Sequence, residues 1–533
     1  MSVPQEKPAT VADAIAVGSG GGGGGGSLAW LSNAGIVKLN LVLTLLQISS
    51  YATGYDGSMM NGLQSLNTWK AAFDYPDAEE LAILNAIQNI GQLAAIPFCA
   101  IVCDKFGRRP VLVGSALLIL LGVGLQAGAR HSGMFIAARG VLGFGLAFNI
   151  TAAPLLIMEL AYPTQRAPMV SIYNALWNLG ALAAAWTTYG TFRINDDWAW
   201  RIPSLLQSLS SFLQVFLCWF IEESPRWYIS KGRDAEAERL IVKYHANGDV
   251  GNPIVALEMA EIRAALLLEA EVSASTSYLS FFKTPGNRRR FNIILAVGFF
   301  SQWSGNGLIT YYLTLILNSI GYRTQSSQTL INALLTLWSL IWGVVGSLIV
   351  NRVTRRALFL FSTIGSLLSY IAWTALEATY EMSPALNGDG TGGPSGIARG
   401  VLAVIFIYQA VFTLGWGALQ VTYVVEILPF NLRARGLVLY NLFVSAALIF
   451  NQYANPVGVT NSGWKFYITY DVWLAVETVI VYFLFVETGK LSLEETAAVL
   501  DGKEAEAQLT EEVIRKTDKT SGSPMAIEKR VDA

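Results

Sequence analysis

The chain has 533 residues, of which 53% are hydrophobic and 14% are charged, and its formal net charge at pH 7 is −2. A soluble core of this size does not need so much apolar sequence, so the composition indicates a membrane protein. The sequence has two histidines, no metal-ligand spacing and no serine-histidine-aspartate set, which disfavours an enzyme and predicts no cofactor. No feature of the sequence indicates a nucleic-acid partner.

Residues 1–37 are predicted to be a disordered cytoplasmic tail, because they contain the flexible glycine run Gly20 to Gly26 and lack a signal peptide. After them, apolar runs of roughly the 20 residues that cross a bilayer recur along the chain. They predict twelve membrane-spanning helices, near residues 38–58, 82–103, 111–129, 134–158, 169–191, 203–221, 291–317, 328–350, 357–377, 400–428, 437–458 and 467–486. The expected fold is an all-α polytopic membrane protein embedded in the lipid bilayer.

The spans divide into two halves of six helices, at 38–221 and 291–486, which are separated by a polar segment at 222–290. Within that segment, helical spacing of apolar and charged residues over 234–247 and 253–271 predicts cytoplasmic helices.

Basic residues flank several of the predicted spans. They are Lys105, Arg108, Arg109, Arg288, Arg289, Arg290, Arg352, Arg355 and Arg356. By the positive-inside rule these loops face the cytoplasm, whereas the loop at 378–398, which has no Lys or Arg, is expected to face outward. An even number of spans then places both termini in the cytoplasm, including a C-terminal tail at 487–533. We expect a monomer in the plasma membrane.

The two halves also repeat each other in sequence. The matching segments are 104–109 with 351–356, 138–142 with 398–402, and 159–166 with 426–433. Three matches at corresponding places predict an internal duplication with pseudo-twofold symmetry, which is how rocking carriers are built.

Asp56 is an acid inside the first apolar run, where a charge costs ~2.5 kcal/mol or more and usually marks an ion or substrate pathway. Counted from Lys38, Asp56 lies about 27 Å along the first helix, and Arg139 lies about 30 Å from the inner end of the fourth. Opposite charges at one depth can pair, and protonation of Asp56 would then break the pair and link proton uptake to gate closure. The alternative is a static ion pair that fixes helix packing.

Over roughly residues 38–496 the chain carries motifs that resemble those of the sugar porter family of the major facilitator superfamily. Internal repeats are a known feature of that superfamily. The motifs are Gly54-Tyr55-Asp56, Asp104 through Arg109, Arg139-Gly140, Glu159 with Arg166, Trp200-Arg201-Ile202-Pro203, Glu223-Ser224-Pro225-Arg226, Gln302 with Tyr311-Tyr312, Glu426 with Pro429 and Arg433, and Glu487-Thr488 with Leu493-Glu494-Glu495. Gly54 to Leu63 and Ser301 to Gly307 are most similar to fungal lactose permease-like and related fungal sugar transporters.

The resemblance implies a small-molecule sugar as substrate, and a sugar needs hydrogen-bonding amides and aromatic faces. The candidate sugar-binding residues are Asn174, Gln302, Asn306, Tyr311, Tyr312 and Trp416, with Gln302 at the position of the family's binding glutamine. Elsewhere the chain departs from the family: it has Asn174 in place of a glutamine, Gly307 in place of a binding asparagine, and Val421 in place of a tryptophan. The pocket is therefore remodelled, and a glucose assignment does not follow.

Charged residues at the inner ends of the spans form a candidate cytoplasmic gate. They are Asp104, Gly107, Arg108, Arg109, Glu159, Arg166, Glu223 and Arg226 in and after the first half, and Arg355, Arg356, Glu426 and Arg433 in the second. Single exposed pairs contribute ~0–1 kcal/mol, so a network would be needed to clamp the halves while the outer gate is open. The alternative is that these charges only set topology and solvate the surface.

Three functions remain open from the sequence: proton-coupled sugar symport, facilitated sugar diffusion with a structural Asp56, and non-transporting sugar sensing. The proton would be the coupling ion in the first. A sensor is expected to carry a long cytoplasmic signalling tail. The tail at 487–533 is short, which disfavours sensing.

Overall fold

The computed structural model describes residues 33–275, 277–350, 352–382, 396–489, 496 and 499–501. The described residues form helices and connecting turns, and no strand is found among them. The expectations for residues 1–32, for most of the outward loop at 378–398 and for the tail beyond 501 concern residues outside this description.

The first half contains eight described α-helices, of which α2 is a short helix between the first two spans. They are α1 (Ala34–Leu63), α2 (Asn67–Ala72), α3 (Ala78–Phe106), α4 (Arg108–Ala127), α5 (Ser132–Leu160), α6 (Arg166–Thr191), α7 (Trp198–Leu206) and α8 (Ser208–Leu217). The last two together form the sixth span.

The segment between the halves also folds into helices. They are α9 (Pro225–Ser230), α10 (Asp234–Tyr244), α11 (Pro253–Ser275) and α12 (Ser280–Lys283). His245, just after α10, ties this segment to the first half, because its Nδ1 lies 2.8 Å from Glu258 Oε2 and its Nε2 lies 3.2 Å from Leu160 O at the end of α5.

The second half again contains eight described α-helices. They are α13 (Pro285–Trp303), α14 (Asn306–Ser319), α15 (Gln325–Ile349), α16 (Arg355–Met382), α17 (Gly396–Phe412), α18 (Ala418–Ile427), α19 (Phe430–Ser462) and α20 (Lys465–Leu484). A π-helical turn at Thr413–Gly417 joins α17 to α18, so these two form the tenth span.

Ten of these helices or helix pairs are long and apolar enough to cross a membrane, by length and composition. The remaining two predicted spans are α6, which has 26 residues, and the seventh span, which is broken into α13 and α14. The twelve-span, two-half fold predicted from the sequence is therefore confirmed.

The helix starts follow from the local sequence. Asp77 accepts a hydrogen bond from Glu80 N (2.8 Å) and caps α3, whose first turn carries acids that suit the positive end of the helix dipole. Thr284 caps α13 in the same way through Asn287 N (3.2 Å), with Pro285 at the first helical position.

Glycines bring four helices of the first half close together. A Cβ at Gly54 on α1 would overlap the backbone of Trp177 on α6, and a Cβ at Gly143 on α5 would overlap the backbone of Gln88 on α3. Small residues allow such close backbone approach between membrane helices. Gly54 and Gln88 both lie beside the polar site described below, so these contacts help to position it.

Each half has its own buried core. The second half contains one large cluster that includes the fully buried rings of Tyr370, Trp373, Tyr408, Trp416 and Tyr423. The described core clusters of the first half hold residues of that half and of the linker segment alone.

We call the end of the bundle with Arg108, Arg109, Arg355 and Arg356 the basic end, and the opposite end the far end. The described hydrogen bonds between the two halves lie toward the far end. They join Asn61 Nδ2 to Ile309 O (3.1 Å) and Asn332 Oδ1 (3.0 Å), Gln64 Nε2 to Tyr311 O (3.1 Å), Ser65 Oγ to Thr314 Oγ1 (3.0 Å), and Asn89 Nδ2 to Gln452 Oε1 (2.7 Å). This conformation therefore holds the far end closed.

Candidate functional site

Asp56 and Arg139 lie together in the interior of the first half. Arg139 Nη1 is 3.9 Å from Asp56 Oδ1, and the exposed fractions of the two side chains are 3% and 0%. The structure thus brings together the two residues that were expected to pair from their depth in the helices. Because both charges are buried, each compensates the cost of burying the other.

Two glutamines complete this polar site, and sequence reasoning missed both. Gln88 Nε2 donates to Asp56 Oδ2, and Arg139 Nη2 donates to Gln88 Oε1, so the Gln88 amide bridges the pair. Gln207 Nε2 donates to Asp56 Oδ1. Gln207 follows Trp200-Arg201-Ile202-Pro203, a family motif that indicated the region but not the residue.

The donors around Asp56 determine which protonation state the site accommodates. Two amide N–H groups and a guanidinium all point to the carboxyl group, which suits an ionised acceptor. A proton added to Asp56 would remove acceptor capacity and leave the Arg139 charge without its partner. The site therefore joins four spans, through Asp56 on α1, Gln88 on α3, Arg139 on α5 and Gln207, which follows α7.

The seventh span is interrupted at Ser304 and Gly305. Gly305 has φ +97°, a conformation that residues with a Cβ rarely adopt, and a Cβ there would also overlap the Tyr370 ring. The carbonyl groups at the break receive hydroxyl donors: Tyr408 OH donates to Ser304 O (2.8 Å) and Tyr370 OH to Gly305 O (2.8 Å). Both carbonyl oxygens at the break therefore have a hydroxyl donor.

Four of the predicted sugar-binding residues flank this break. Gln302 is partly buried, and its Nε2 donates to Ser301 Oγ (3.3 Å). Asn306, the first residue of α14, has a buried Oδ1 without a hydrogen-bond partner among the described residues. Tyr311 is partly buried, whereas Tyr312 is fully buried and donates its hydroxyl to Gln452 O. Gln302, Asn306 and Tyr311 therefore keep polar groups or ring surface that a hydroxyl-rich ligand can contact.

Trp416 and Asn174 stand apart from that group. Trp416 has no exposed surface and packs against Phe300, Phe359 and Phe485, so core side chains cover its ring in this conformation. Asn174 lies on α6, but its side chain is outside the described part of the structure. Their roles in sugar binding stay predictions.

An asparagine-tyrosine network beside the break was also missed. Asn451 Nδ2 donates to Gln302 O (2.6 Å), and Tyr470 OH lies 3.1 Å from Asn451 Oδ1 and 2.5 Å from Asn455 Oδ1. A Cβ at Gly307 would overlap the amide of Asn451. The asparagines lie four residues apart on α19, a spacing that places them on one helix face and was the available signal.

The basic end of the first half is a network around Glu223. Its Oε1 and Oε2 accept hydrogen bonds from Arg108 N and Arg109 N, each 3.0 Å away, at the start of α4. The Arg108 side chain reaches Glu159 (Nε to Oε2, 3.1 Å). Gly107 has φ +97°, and a Cβ there would overlap the Glu223 carboxylate. Gly107 leaves space for the Glu223 carboxylate, and the two residues after it donate their backbone N–H groups to that carboxylate.

Burial raises the pKa of Glu223 above its usual value, while the N–H groups of Ser224, Arg109 and Arg108 act in the opposite direction. Burial is the largest of these effects. The carboxylate is therefore less stable here than in water, although three backbone donors surround it.

The second half repeats this network around Glu487. Its Oε1 and Oε2 accept from Arg355 N (2.9 Å) and Arg356 N (3.0 Å), and the Arg355 side chain reaches Glu426 (Nη2 to Oε1, 3.2 Å). Arg356 Nη2 donates to Tyr482 O (2.6 Å), just as Arg109 Nη2 donates to Trp219 O (3.3 Å). Glu487 was recognised as part of a family motif, but its role in this network was not predicted.

The remaining predicted gate residues lie at the same end. Asp104 Oδ1 is 3.7 Å from Arg108 Nη2, Arg166 Nε donates to Ala161 O (3.3 Å), and Arg226 pairs with Glu269 of α11. Arg433 lies in the first turn of α19, and its buried Nε has no hydrogen-bond partner among the described residues.

The clamp between the halves that the sequence suggested is not tested by this conformation, in which the far end is closed. The sequence suggested salt bridges that clamp one half to the other, yet each bond described for the gate residues joins partners of one half and its adjoining segment. The reason is that Glu223 and Glu487 each bind the span starts of their own half. A clamp between the halves belongs to a conformation in which the far end is open, and for that conformation it stays a prediction.

The chain is similar over most of its length to known transporters. Residues 42–500 match the family described as "Sugar (and other) transporter". The chain is 26% identical to the MFS-type transporter criB of Aspergillus cristatus over 495 residues, which covers 90% of this chain and 98% of that protein. It is 28% identical to the high-affinity glucose transporter 1 of Candida albicans over 485 residues, 87% of each chain.

Solved structures share the fold. The inward-open xylose transporter XylE from E. coli superimposes with a TM-score of 0.70 at 19% sequence identity, covering 86% of this chain and 99% of that one. Because the family match extends over most of the chain, the resemblance seen in the motifs is confirmed. The protein belongs to the sugar transporter family of the major facilitator superfamily, a family of membrane carriers rather than of enzymes.

Proposed function

We propose that this protein is a proton-coupled sugar symporter, which imports a mono- or disaccharide across the plasma membrane by alternating access. The observation that carries the proposal is the fully buried Asp56, held by Arg139, Gln88 and Gln207. A facilitated carrier has no need of a buried acid that responds to protons, since an isosteric apolar contact packs helices at lower cost.

A continuous set of contacts leads from the proton site to the seventh span. Gln88, which bridges Asp56 and Arg139, is followed by Asn89, and Asn89 bonds to Gln452 of the other half (2.7 Å). The backbone oxygen of Gln452 in turn accepts the Tyr312 hydroxyl. A change at Asp56 therefore reaches both the far-end contacts between the halves and the half-helix that carries Asn306 and Tyr311.

These contacts support a simple cycle. With Asp56 ionised, Arg139 and Gln88 are held in place, and the Asn89–Gln452 bond follows Gln88. Protonation frees Gln88 and Arg139, so α3 can shift relative to α19 and change the far-end closure. Sugar bound between Gln302 and Asn306 favours one of the two arrangements, and this differential affinity couples the two solutes.

The sugar side of the proposal rests on the polar groups left available at the break of the seventh span. The amides of Gln302 and Asn306 can donate and accept at sugar hydroxyls, and Tyr311 adds a ring face. The two termini would lie in the cytoplasm, because the basic end carries the arginines of both halves. The protein would act as a monomer.

Uptake of labelled sugars tests the proposal. Cells lacking their own sugar carriers would express the full chain and receive a panel of labelled glucose, galactose, xylose, maltose and lactose at acidic and neutral outside pH. Symport predicts that at least one sugar accumulates above its outside concentration in acid and that a protonophore abolishes this accumulation. Uptake that only equilibrates and ignores the protonophore would favour the facilitated carrier instead.

A further inference from the structure

Two buried acids of the second half lie at the two ends of the half-helix α14. Glu477 of α20 contacts Ser304, just before α14 begins, and Glu377 of α16 contacts Ser319, its last residue. Both acids have no exposed surface. The hydrogen bonds described for these two carboxyl groups come from serine and tryptophan side chains and none from a basic residue.

The number of hydrogen-bond donors at Ser304 determines the state of Glu477. Ser304 Oγ lies 2.5 Å from Phe300 O and 2.9 Å from both Oε1 and Oε2 of Glu477. A serine hydroxyl carries one proton, and the Phe300 carbonyl can only accept. If Glu477 were ionised, the three neighbouring oxygens would share that single donor. A proton on Glu477 supplies the second donor and satisfies the contact between carboxyl and hydroxyl.

The same count applies at the other end of α14. Ser319 Oγ lies 2.7 Å from Ile316 O and 2.6 Å from Glu377 Oε1, and again one hydroxyl proton faces two acceptors. The other carboxyl oxygen, Oε2, accepts from Trp373 Nε1 (3.2 Å). A protonated Glu377 donates through Oε1 and accepts through Oε2, so every contact has one donor and one acceptor.

The groups around both acids also disfavour a negative charge. Glu477 is faced by Ser304, by Tyr408 and by Trp416 of the tenth span, whose indole N–H is a donor directed to the carboxyl group, and by no described cation. Glu377 interacts with the acid Glu381 one turn along α16 and with Tyr467 of α20. An ionised carboxylate buried without a cation is very costly, so the neutral acid is the stable form.

The helix between these acids carries the far-end closure. Ile309 O and Tyr311 O of α14 accept hydrogen bonds from Asn61 and Gln64 of the first half, and Thr314 contacts Ser65. Since α14 is separated from α13 by the break at Ser304 and Gly305 and is itself kinked at Tyr312, the contacts at its ends contribute to its position. Glu477 and Glu377 supply one such contact each.

We propose that Glu477 and Glu377 are protonated carboxylic acids that act as positioning residues for α14, by holding the two ends of the half-helix that closes the far end. They differ from Asp56, which faces a guanidinium and amide donors and is suited to be charged. The inference rests on membership of the transporter family and not on proton coupling through Asp56, so either can fail without the other.

Infrared spectroscopy of the full chain in liposomes tests the protonation state directly. Near neutral pH, difference spectra between wild type and Glu477→Gln, and between wild type and Glu377→Gln, are each expected to show loss of a protonated carboxyl C=O band. Asp56→Asn serves as the matched control and is expected to lose a carboxylate band instead. Loss of a carboxylate band in either glutamate variant would overturn the proposal.

A distance measurement tests the positioning role. Spin labels at Tyr75→Cys and Arg323→Cys, two exposed positions at the far end of the two halves, report on closure, since the three native cysteines are buried. Glu477→Ala is expected to lengthen the distance between the labels, and Glu477→Gln, which restores a donor and an acceptor, is expected to bring it back. An unchanged distance in Glu477→Ala, or an equal opening in both variants, would contradict the role. If Glu477→Ala does not fold, the infrared spectrum and the label distance of Glu477→Gln still test the proposal.

Discussion

Glu223 and Glu487 hold equivalent positions in the two halves: each carboxylate accepts hydrogen bonds from two consecutive backbone N–H groups at the start of a membrane span. Each of those spans begins with an arginine pair, and in both pairs the first arginine reaches an acid, Glu159 or Glu426. The sequence repeat therefore corresponds to a repeated set of contacts. In each half, one carboxylate binds the first backbone N–H groups of a membrane span.

Gly107 is predicted to tolerate no side chain. Its φ of +97° is strained for other residues, and a Cβ would overlap the Glu223 carboxylate, so Gly107→Ala should lower the free energy of unfolding by about 1–3 kcal/mol. Gly114→Ala is the matched control, because the added Cβ would meet no atom within 4 Å beyond the local backbone of its own helix. Thermal unfolding in detergent measures both; equal melting temperatures for the two variants would contradict the prediction.

Glu223 is predicted to make stability depend on pH. Because burial raises its pKa, the folded protein binds the proton more tightly than the unfolded chain, and stability falls as pH rises from the usual carboxyl pKa toward the raised one. Glu223→Gln removes this slope, and it also lowers stability by about 1–3 kcal/mol because one N–H loses its acceptor. Unfolding measured across that pH range gives both quantities.

The control for that experiment is Glu222→Gln, which removes an acid that is 35% exposed and paired with Lys243. An exposed pair contributes about 1 kcal/mol or less, so this variant should keep the wild-type slope. A slope that persists in Glu223→Gln would assign the titration to another group.

Gln302→Ala is predicted to weaken sugar binding. One hydrogen bond lost to a buried ligand costs about 1–3 kcal/mol, which raises the half-saturating sugar concentration roughly ten- to hundredfold. Initial uptake rates against sugar concentration measure this. Gln126→Ala removes another buried amide, which bonds to Ser204 in the first half, and should leave the half-saturating concentration near wild type. Equal effects of the two substitutions would move the sugar site elsewhere.

Glu426→Gln is predicted to slow transport without weakening sugar binding. Glu426 bonds to Arg355 (3.2 Å) and Thr488 (2.5 Å) at the basic end, and loss of this partly exposed pair, about 1 kcal/mol, corresponds to a roughly fivefold change in rate. Arg166→Ala is expected to act in the same direction. Asp74→Asn, at an exposed far-end turn, is the control. Weaker sugar binding at normal turnover would contradict the placement of Glu426 in a gate.

The fold and the main charged pair followed from simple rules of membrane chemistry. The lengths of the apolar runs predicted the twelve spans. The depths of Asp56 and Arg139 along their helices predicted that the two residues pair, because buried opposite charges in a bundle must compensate each other. The glutamines Gln88 and Gln207 were not found, since an uncharged amide in a span is common as a contact between helices and carries no distinctive pattern.

The arrangement of the gate charges could not be read from the sequence for a different reason. Arg355 and Glu426 repeat Arg108 and Glu159, but the repeat does not say whether an acid pairs within its half or across to the other. That choice depends on the conformation of the carrier. The break at Ser304 and Gly305, which separates Gln302 from Asn306, was not predicted, although the polar residues and glycines of Ser301 to Gly307 were the available signal.

The most direct test of the central claim is sugar-induced proton uptake in liposomes that contain wild type or Asp56→Asn protein. Addition of a transported sugar to wild type should make the outside medium more alkaline as protons enter with the sugar. The Asp56→Asn variant, which mimics the protonated acid permanently, should bind the sugar but move no protons and accumulate no sugar. If wild type equilibrates sugar without any proton movement, or if Asp56→Asn moves protons as wild type does, Asp56 is not the coupling residue.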